Sequence, residues 1–270
     1  MMGAEHTADA TALAVAVERA KAGDVDAVEA VVAALQHDIF RLALRMTAHH
    51  EDAEDVTQEV LIKVITRLDS FRGESSIRTW AYRIAVRHIL DRKRSRVEAL
   101  SLTFDRFGAD VLDGLAADPD PDPVMVEEVK RGCTLAMLTC LDREHRIAFV
   151  LADVFDLPAE EAASLCEVSG QTFRQRLSRA RRMLEAFTRS YCGLVKSEAP
   201  CRCDRRVARA EELGRIHRAS PTLAAWPAER IEEAVHDMQQ LHDSATLLRS
   251  HPPYLAPDAV LARVRRSIVM

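Results

Sequence analysis

Val168–Phe187 reads VSGQTFRQRLSRARRMLEAF. Its apolar residues Phe173, Leu177, Ala180, Leu184 and Phe187 recur at alternating steps of four and three, the signature of one buried helix face. Ser169 stands just before the helix as an N-cap oxygen. The other faces carry Gln171, Arg174, Gln175, Arg176, Ser178, Arg179, Arg181 and Arg182, with one acid, Glu185, late in the helix. Arginine and amide groups at the front of a packed helix suit both phosphates and base edges in the major groove.

The preceding residues complete a pattern. Ile147, Val150, Leu151 and Val154 mark one helix face, and Pro158–Cys166 reads as a short helix opened by proline. A tight turn at Glu167–Ser169 then leads into the arginine helix, which is helix-turn-helix grammar. The alternative is an ordinary solvated helix whose arginines serve solubility. Glu167 occupies a turn position where glycine is usual, at a cost of roughly 1 kcal/mol.

Few glycines and 5% aromatics favour helices over sheet, and 48% hydrophobic residues support real cores. The net charge of −5 is segregated: acids gather at Glu51–Glu59 and Asp105–Glu128, arginines at Arg78–Arg96 and Arg174–Arg189. Segregation keeps nucleic-acid binding open despite the negative sum. No apolar run approaches the ~20 residues of a membrane span, and no secretory signal pattern or disulfide scaffold is evident, so a cytoplasmic location is expected. No phosphate-binding glycine loop or catalytic constellation occurs, so an enzyme is not expected.

Toward the N-terminus, Ala10–Ala20 and Val25–Ala34 look like helices split at Ala22–Asp24, and His37–Thr47 continues helically. In residues 49–71, Ala53, Val56, Val60, Leu61, Val64 and Leu68 form an apolar stripe. Glu51, Asp55 and Glu59 stand four apart on another face, where like charges repel. That ridge is understandable either as a solvated face or as one covered by a basic partner. Ser75 or Ser76 then caps Ile77–Arg94, whose inward stripe is Ile77, Trp80, Ala81, Ile84, Ala85 and His88. Tyr82 interleaves Arg78, Arg83 and Arg87, the ingredients for holding single-stranded bases and phosphates. Trp80 suits either core packing or a base platform.

The segments DAEDVTQEVLIKV, LDSFRGESSIRTWAYRIAVRHILDRKR and LPAEEAASLCEVSGQTFRQRLSRARRMLEAF, in that order, resemble a bacterial extracytoplasmic-function (ECF) sigma factor. The resemblance implies an all-α protein. A region-2-like domain would span 12–96, a flexible acidic linker 97–123, a region-4-like helix-turn-helix 124–189 and a helical C-terminal extension 190–270. It implies an alternative sigma factor that binds core RNA polymerase and promoter DNA and needs no cofactor. Asp52, Glu54, Asp55, Gln58 and Glu59 would meet the clamp helices of the largest subunit. Phe71, Arg72, Ser76, Arg78, Trp80, Tyr82, Arg83 and Arg87 would engage the melted minus-ten element. Gln171, Thr172, Arg174, Gln175, Arg176, Ser178, Arg179 and Arg182 would read the minus-thirty-five duplex. The rival is a stand-alone helix-turn-helix regulator that does not bind polymerase.

The tail opens YCGLVKSEAPCRCDRRV. Cys192, Cys201 and Cys203 offer three thiolates to a metal ion, with His217 or an acid as a fourth ligand. Arg202, Arg205 and Arg206 would lower the thiol pKa values, which suits a redox sensor instead; unreactive packing is the third reading. Cys133, Cys140 and Cys166 sit in apolar helical contexts and read as packing residues. Helices are expected over Ala224–Arg249 and Pro257–Ile268, as a module docking on the sigma domains or on a partner. Control of the factor by a stress, metal or redox signal, by an anti-sigma factor, or by this extension within the same chain is the corresponding expectation.

Overall fold

The computed structural model describes residues 2–120, 122–223, 244–251 and 253–268, with only the backbone of residues 2–10 and of Ile268. Helices α1 (Met2–Lys21), α2 (Val25–Thr47), α3 (His50–Thr66) and α4 (Ile77–Asp91) come first. Next are α5 (Arg96–Ala99), α6 (Phe104–Leu112), α7 (Pro123–Thr139), α8 (Arg143–Phe149) and α9 (Ala159–Leu165). The last four are α10 (Gly170–Tyr191), α11 (Cys203–Glu212), α12 (Ser244–Arg249) and α13 (Asp258–Ile268). Among the described residues there is no strand, only an isolated bridge between Cys192 and Cys201. The expected helix over Ala224–Arg249 lies mostly outside the described residues; its end, Ser244–Arg249, is α12.

Two compact units emerge. The first comprises Met1–Leu44, Glu51–Lys93 and Tyr254–Met270; the second, Arg45–His50 and Arg94–Pro253. The C-terminal extension is therefore divided: its first part belongs with the second unit, its last helix with the first.

In the first unit, α3 buries Ala53, Val56, Val60, Leu61 and Val64, the stripe read from the sequence, and Leu68 follows in a 3-10 turn. Ser76 caps α4, its Oγ accepting the Thr79 N–H at 3.0 Å. The buried stripe of α4 is Ile77, Ala81, Ala85, Val86 and Ile89, while Trp80, Ile84 and His88 are only half-buried. The helix stops at Asp91, short of the expected Arg94, because Ser95 opens a new capping box with Glu98 and starts α5.

In the second unit, α10 packs on α8 and α9 through Phe173, Leu177, Ala180, Leu184 and Phe187. Tail helix α11 packs on α7, where Met125, Val129, Val207, Ala210 and Ile216 share a core. Helix α6 meets the end of α10: the Phe107 and Phe187 rings stack at 5.2 Å, and Phe104 lies 5.5 Å from Phe187. A Cβ on Gly108 would fall 2.5 Å from the Tyr191 ring, so only glycine allows this approach.

The stretch 97–123, expected as a flexible connector, contains α5 and α6, and its acids are engaged by the tail. Asp110 pairs with Arg215 at 2.6 Å, Asp113 with Arg209 at 2.6 Å and Asp120 with Arg218 at 2.8 Å. Backbone bonds from Ala116 N to Arg205 O and from Asp120 N to Asp204 O fix the same stretch. The physical reason is charge complementarity with arginines about a hundred residues away, which local composition does not reveal.

Buried Arg146 organises this unit. Its guanidinium reaches the carbonyls of Leu138, Thr139, Leu141 and Met46 and pairs with Glu98 at 2.9 Å. Arg143 adds a second pair to Glu98 at 2.6 Å. Burial alone would raise the Glu98 pKa, but hydrogen bonds from Arg143 and the Ser95 N–H, with the charge of both arginines, hold it down at about 2. A depressed carboxyl pKa stabilises the fold above the ordinary 4.5, and the gain is lost as pH falls from 4.5 toward 2. Glu98→Gln should therefore flatten the acid limb of a stability–pH curve. Arg146→Ala should cost about 3 kcal/mol in denaturant unfolding, since it strands a buried charge.

Candidate nucleic-acid interface

The turn before α10 adopts the expected strained form. Glu167 has φ +54°, in the region where a side chain is disfavoured. Val168 N bonds back to Ala163 O at 3.1 Å and closes the end of α9, while Ser169 Oγ caps α10 through the Thr172 N–H at 3.1 Å. These bonds fix how α10 leaves the turn and which of its faces is exposed.

On the exposed face, Gln171, Arg174, Gln175, Ser178, Arg179 and Arg182 line one shallow, open surface depression. Arg174 makes a loose contact with Glu160 at 3.6 Å and remains 60% exposed. Among the described residues, Arg179 and Arg182 form no ion pair. Arg176 differs from the sequence expectation, because its side chain is largely covered and paired with Glu144 at 2.7 Å. Arg181 is held by both oxygens of Asp153. The five-residue π-turn at Val150–Val154 accompanies this placement of Asp153, whose carbonyl also accepts from Arg249. Thr172 is half-buried beside the cap. The arginines thus divide into structural and available sets, a division set by partners far away in sequence.

The second basic surface involves α4 and the loop before it. Phe71 and Trp80 rings lie 5.5 Å apart, and Lys21 sits 5.3 Å above the Phe71 ring while donating to its carbonyl. Arg72 and Arg87 are exposed. Arg78 turns back onto α2, donating to Ala34 O at 3.0 Å and pairing with Asp38, so it braces the helix. The Ser76 hydroxyl is occupied in capping. Tyr82 and Arg83 are half-buried.

The acidic residues of α3 are spread over two surroundings. Glu59 Oε2 lies 2.8 Å from His88 Nε2, and Lys63 approaches the other ring nitrogen. Burial and then Lys63 push the His88 pKa down against the opposing pull of Glu59. Glu54 and Asp55 both face Arg263 of α13, at 2.9 and 3.5 Å. Asp52 and Gln58 are half-buried. Nothing in local periodicity signalled the Arg263 contact, which spans more than two hundred residues of chain.

The surroundings of the tail thiols are set mainly by burial. Arg202 and Arg206 do act to lower the Cys201 pKa, but burial and the neighbouring Cys192 outweigh them and push it up to about 11. Burial likewise raises Cys192, and lifts Cys133 and Cys203 well above the ordinary thiol value. Arg202 spends its guanidinium on the carbonyls of Ala199, Cys201 and Ser197. Among the described residues, no group of three or more His, Cys, Asp and Glu side chains is set to hold a metal ion, and His217 is exposed. Burial raises the pKa of Cys192, Cys201 and Cys203, which slows thiolate chemistry in the folded chain. Iodoacetamide should label them in the native chain at pH 7.5 about tenfold or more slowly than in the unfolded chain.

Comparison with known proteins identifies two domains of the chain. The Sigma-70 region 2 family model matches residues 31–98, and the Sigma-70, region 4 model matches residues 131–184. The ECF RNA polymerase sigma-E factor of Escherichia coli (strain K12) is 33% identical over 180 residues, covering 63% of this chain and 91% of that protein. The ECF RNA polymerase sigma factor SigE of Mycolicibacterium smegmatis is 32% identical over 153 residues, covering 55% of this chain and 56% of that one. A solved sigma factor RpoE from Bartonella quintana, in complex with the anti-sigma factor NepR, aligns over 57% of this chain and 92% of its own at 22% identity, with a TM-score of 0.39.

The chain belongs to the ECF sigma-factor family. It is an alternative sigma factor, a transcription initiation factor that binds RNA polymerase, and not an enzyme. No described helix is long and apolar enough to cross a membrane.

Proposed function

We infer that the two basic surfaces divide promoter recognition between duplex and melted DNA. The exposed depression on α10 carries this reading: Gln171, Arg174, Gln175 and Arg179 project from the front half of a capped helix whose opposite face is fully packed. Side chains of this kind reach base edges and phosphates together when the helix lies in a major groove. That supports duplex reading of the minus-thirty-five element by α10. Half-buried Phe71 and Trp80 beside exposed Arg72 and Arg87 support capture of unstacked bases and their phosphates at the minus-ten element. Binding energy spent on single-stranded DNA shifts the duplex toward its open form.

The polymerase partner would meet the acidic surface of α3. Glu51, Asp55 and Glu59 repel one another along the helix, and a basic partner surface relieves that repulsion. Residues Asp52, Glu54 and Gln58 extend this surface toward the clamp helices. An anti-sigma factor covering the same surface would act by competing for it.

Replacing Arg174 and Arg179 by alanine should weaken duplex promoter binding about tenfold at fixed salt and reduce the salt slope, measured by fluorescence anisotropy. Arg176→Ala should leave the slope unchanged, since that side chain is already paired. Equal slopes for all three substitutions would remove α10 as the contact surface.

A further inference from the structure

We propose that α13 is a built-in occupant of the acidic polymerase-binding surface, so that the full chain keeps this surface partly closed against core polymerase. The inference rests on the assignment of α3 to polymerase binding made above.

The segment is seated by two kinds of contact. Val260 and Val264, one turn apart, have no exposed surface, and Tyr254 and Ala256 ahead of them are also buried. Around this apolar seam lie directed charges. One guanidinium, that of Arg263, reaches two consecutive carboxylates of α3: Glu54 Oε2 at 2.9 Å and Asp55 Oδ1 at 3.5 Å. Arg265 pairs with Glu29 of α2 at 2.9 Å. Upstream, Ala256 N donates to His37 Nδ1 at 2.9 Å, which fixes where the segment enters. The helix has a stripe for the core of the unit and cations for its acidic rim, which marks a seat and not a chance contact.

Its position has a functional cost. The Glu54 side chain is 15% exposed with Arg263 in place. With Arg263 in place, a lysine or arginine of a partner meets a carboxylate already neutralised and largely covered. Exposed ion pairs are weak individually, and a four-residue apolar seam is small, so the seat is displaceable. Being on the same chain, α13 nevertheless competes at a high effective concentration without needing high affinity. An occupant of that kind raises the threshold for polymerase binding and leaves the fold unaltered.

The test uses the full chain and purified core polymerase, with affinity read by anisotropy of a labelled factor. Arg263→Glu and Val264→Asp should each raise affinity about threefold or more, the size expected from removing a modest competing state. Arg265→Glu should do the same. Adding Glu29→Arg to Arg265→Glu should return affinity to the starting value, because the pair is restored with its charges exchanged and no polymerase-binding residue is altered. Protease cleavage within 258–268 should rise and fall with affinity across the set.

A control separates the two claims. Asp55→Lys with Glu59→Lys should abolish core binding; if it does not, the assignment of α3 fails and the inference fails with it. If that control loses binding but the Arg263, Val264 and Arg265 variants all bind like the starting chain, the assignment stands and the occupant is refuted. Should Val264→Asp fail to fold, the surface exchange between Arg265 and Glu29 decides alone: a rise followed by rescue supports the inference, and an unchanged affinity overturns it.

Discussion

The pairing of Arg146 with Glu98 is the constraint on which the second unit turns. A guanidinium stripped of water is tolerable only when its donors are satisfied, and here four carbonyls and a carboxylate satisfy them. A lysine could not replace it, because only the planar fork reaches the ends of α7, the start of α8 and Glu98 from one centre. Helix α10 in turn packs on α8. The direction in which its exposed arginines point therefore depends on one buried member of the same residue type. Burial and partners, not residue identity, separate the arginine that builds from the arginines left at the surface.

Much of the fold was legible because it is local. The stripe from Phe173 to Phe187, the Ser169 and Ser76 caps and the left-handed Glu167 follow from spacings of a few residues, which periodicity captures. The residues that escaped are paired across long separations. Glu127, Glu128, Lys130 and Arg131 look like a solvated face of α7, yet all four are buried. Glu127 pairs with both cations, and Glu128 accepts the N–H groups of Thr222 and Leu223 from the tail. The Glu127 partners lie within one turn of the same helix, but no window along α7 contains Thr222 or Leu223. The carboxylates paired with Arg78 and Arg176, Asp38 and Glu144, likewise lie on other helices.

The thiols illustrate the limits of sequence proximity. Neighbouring arginines in sequence suit activated cysteines, and Arg202 and Arg206 do pull the Cys201 pKa down, but burial outweighs them. Arg202 is aimed at carbonyls, and desolvation decides the pKa. Sequence proximity is a fair guide to helix faces, whose geometry is fixed, and a poor guide to side-chain direction in an irregular segment.

The exchange between linker acids and tail arginines has a broader consequence. Arg209, Arg215 and Arg218 stay with Asp113, Asp110 and Asp120 as permanent counterions. A bare acidic connector would be a short polyelectrolyte, stretched by self-repulsion and surrounded by mobile cations. With part of its neutralising charge covalently supplied, this one carries a thinner cloud of mobile cations. The tail thereby sets how strongly the middle of the chain repels the polyanion that its two ends are built to hold.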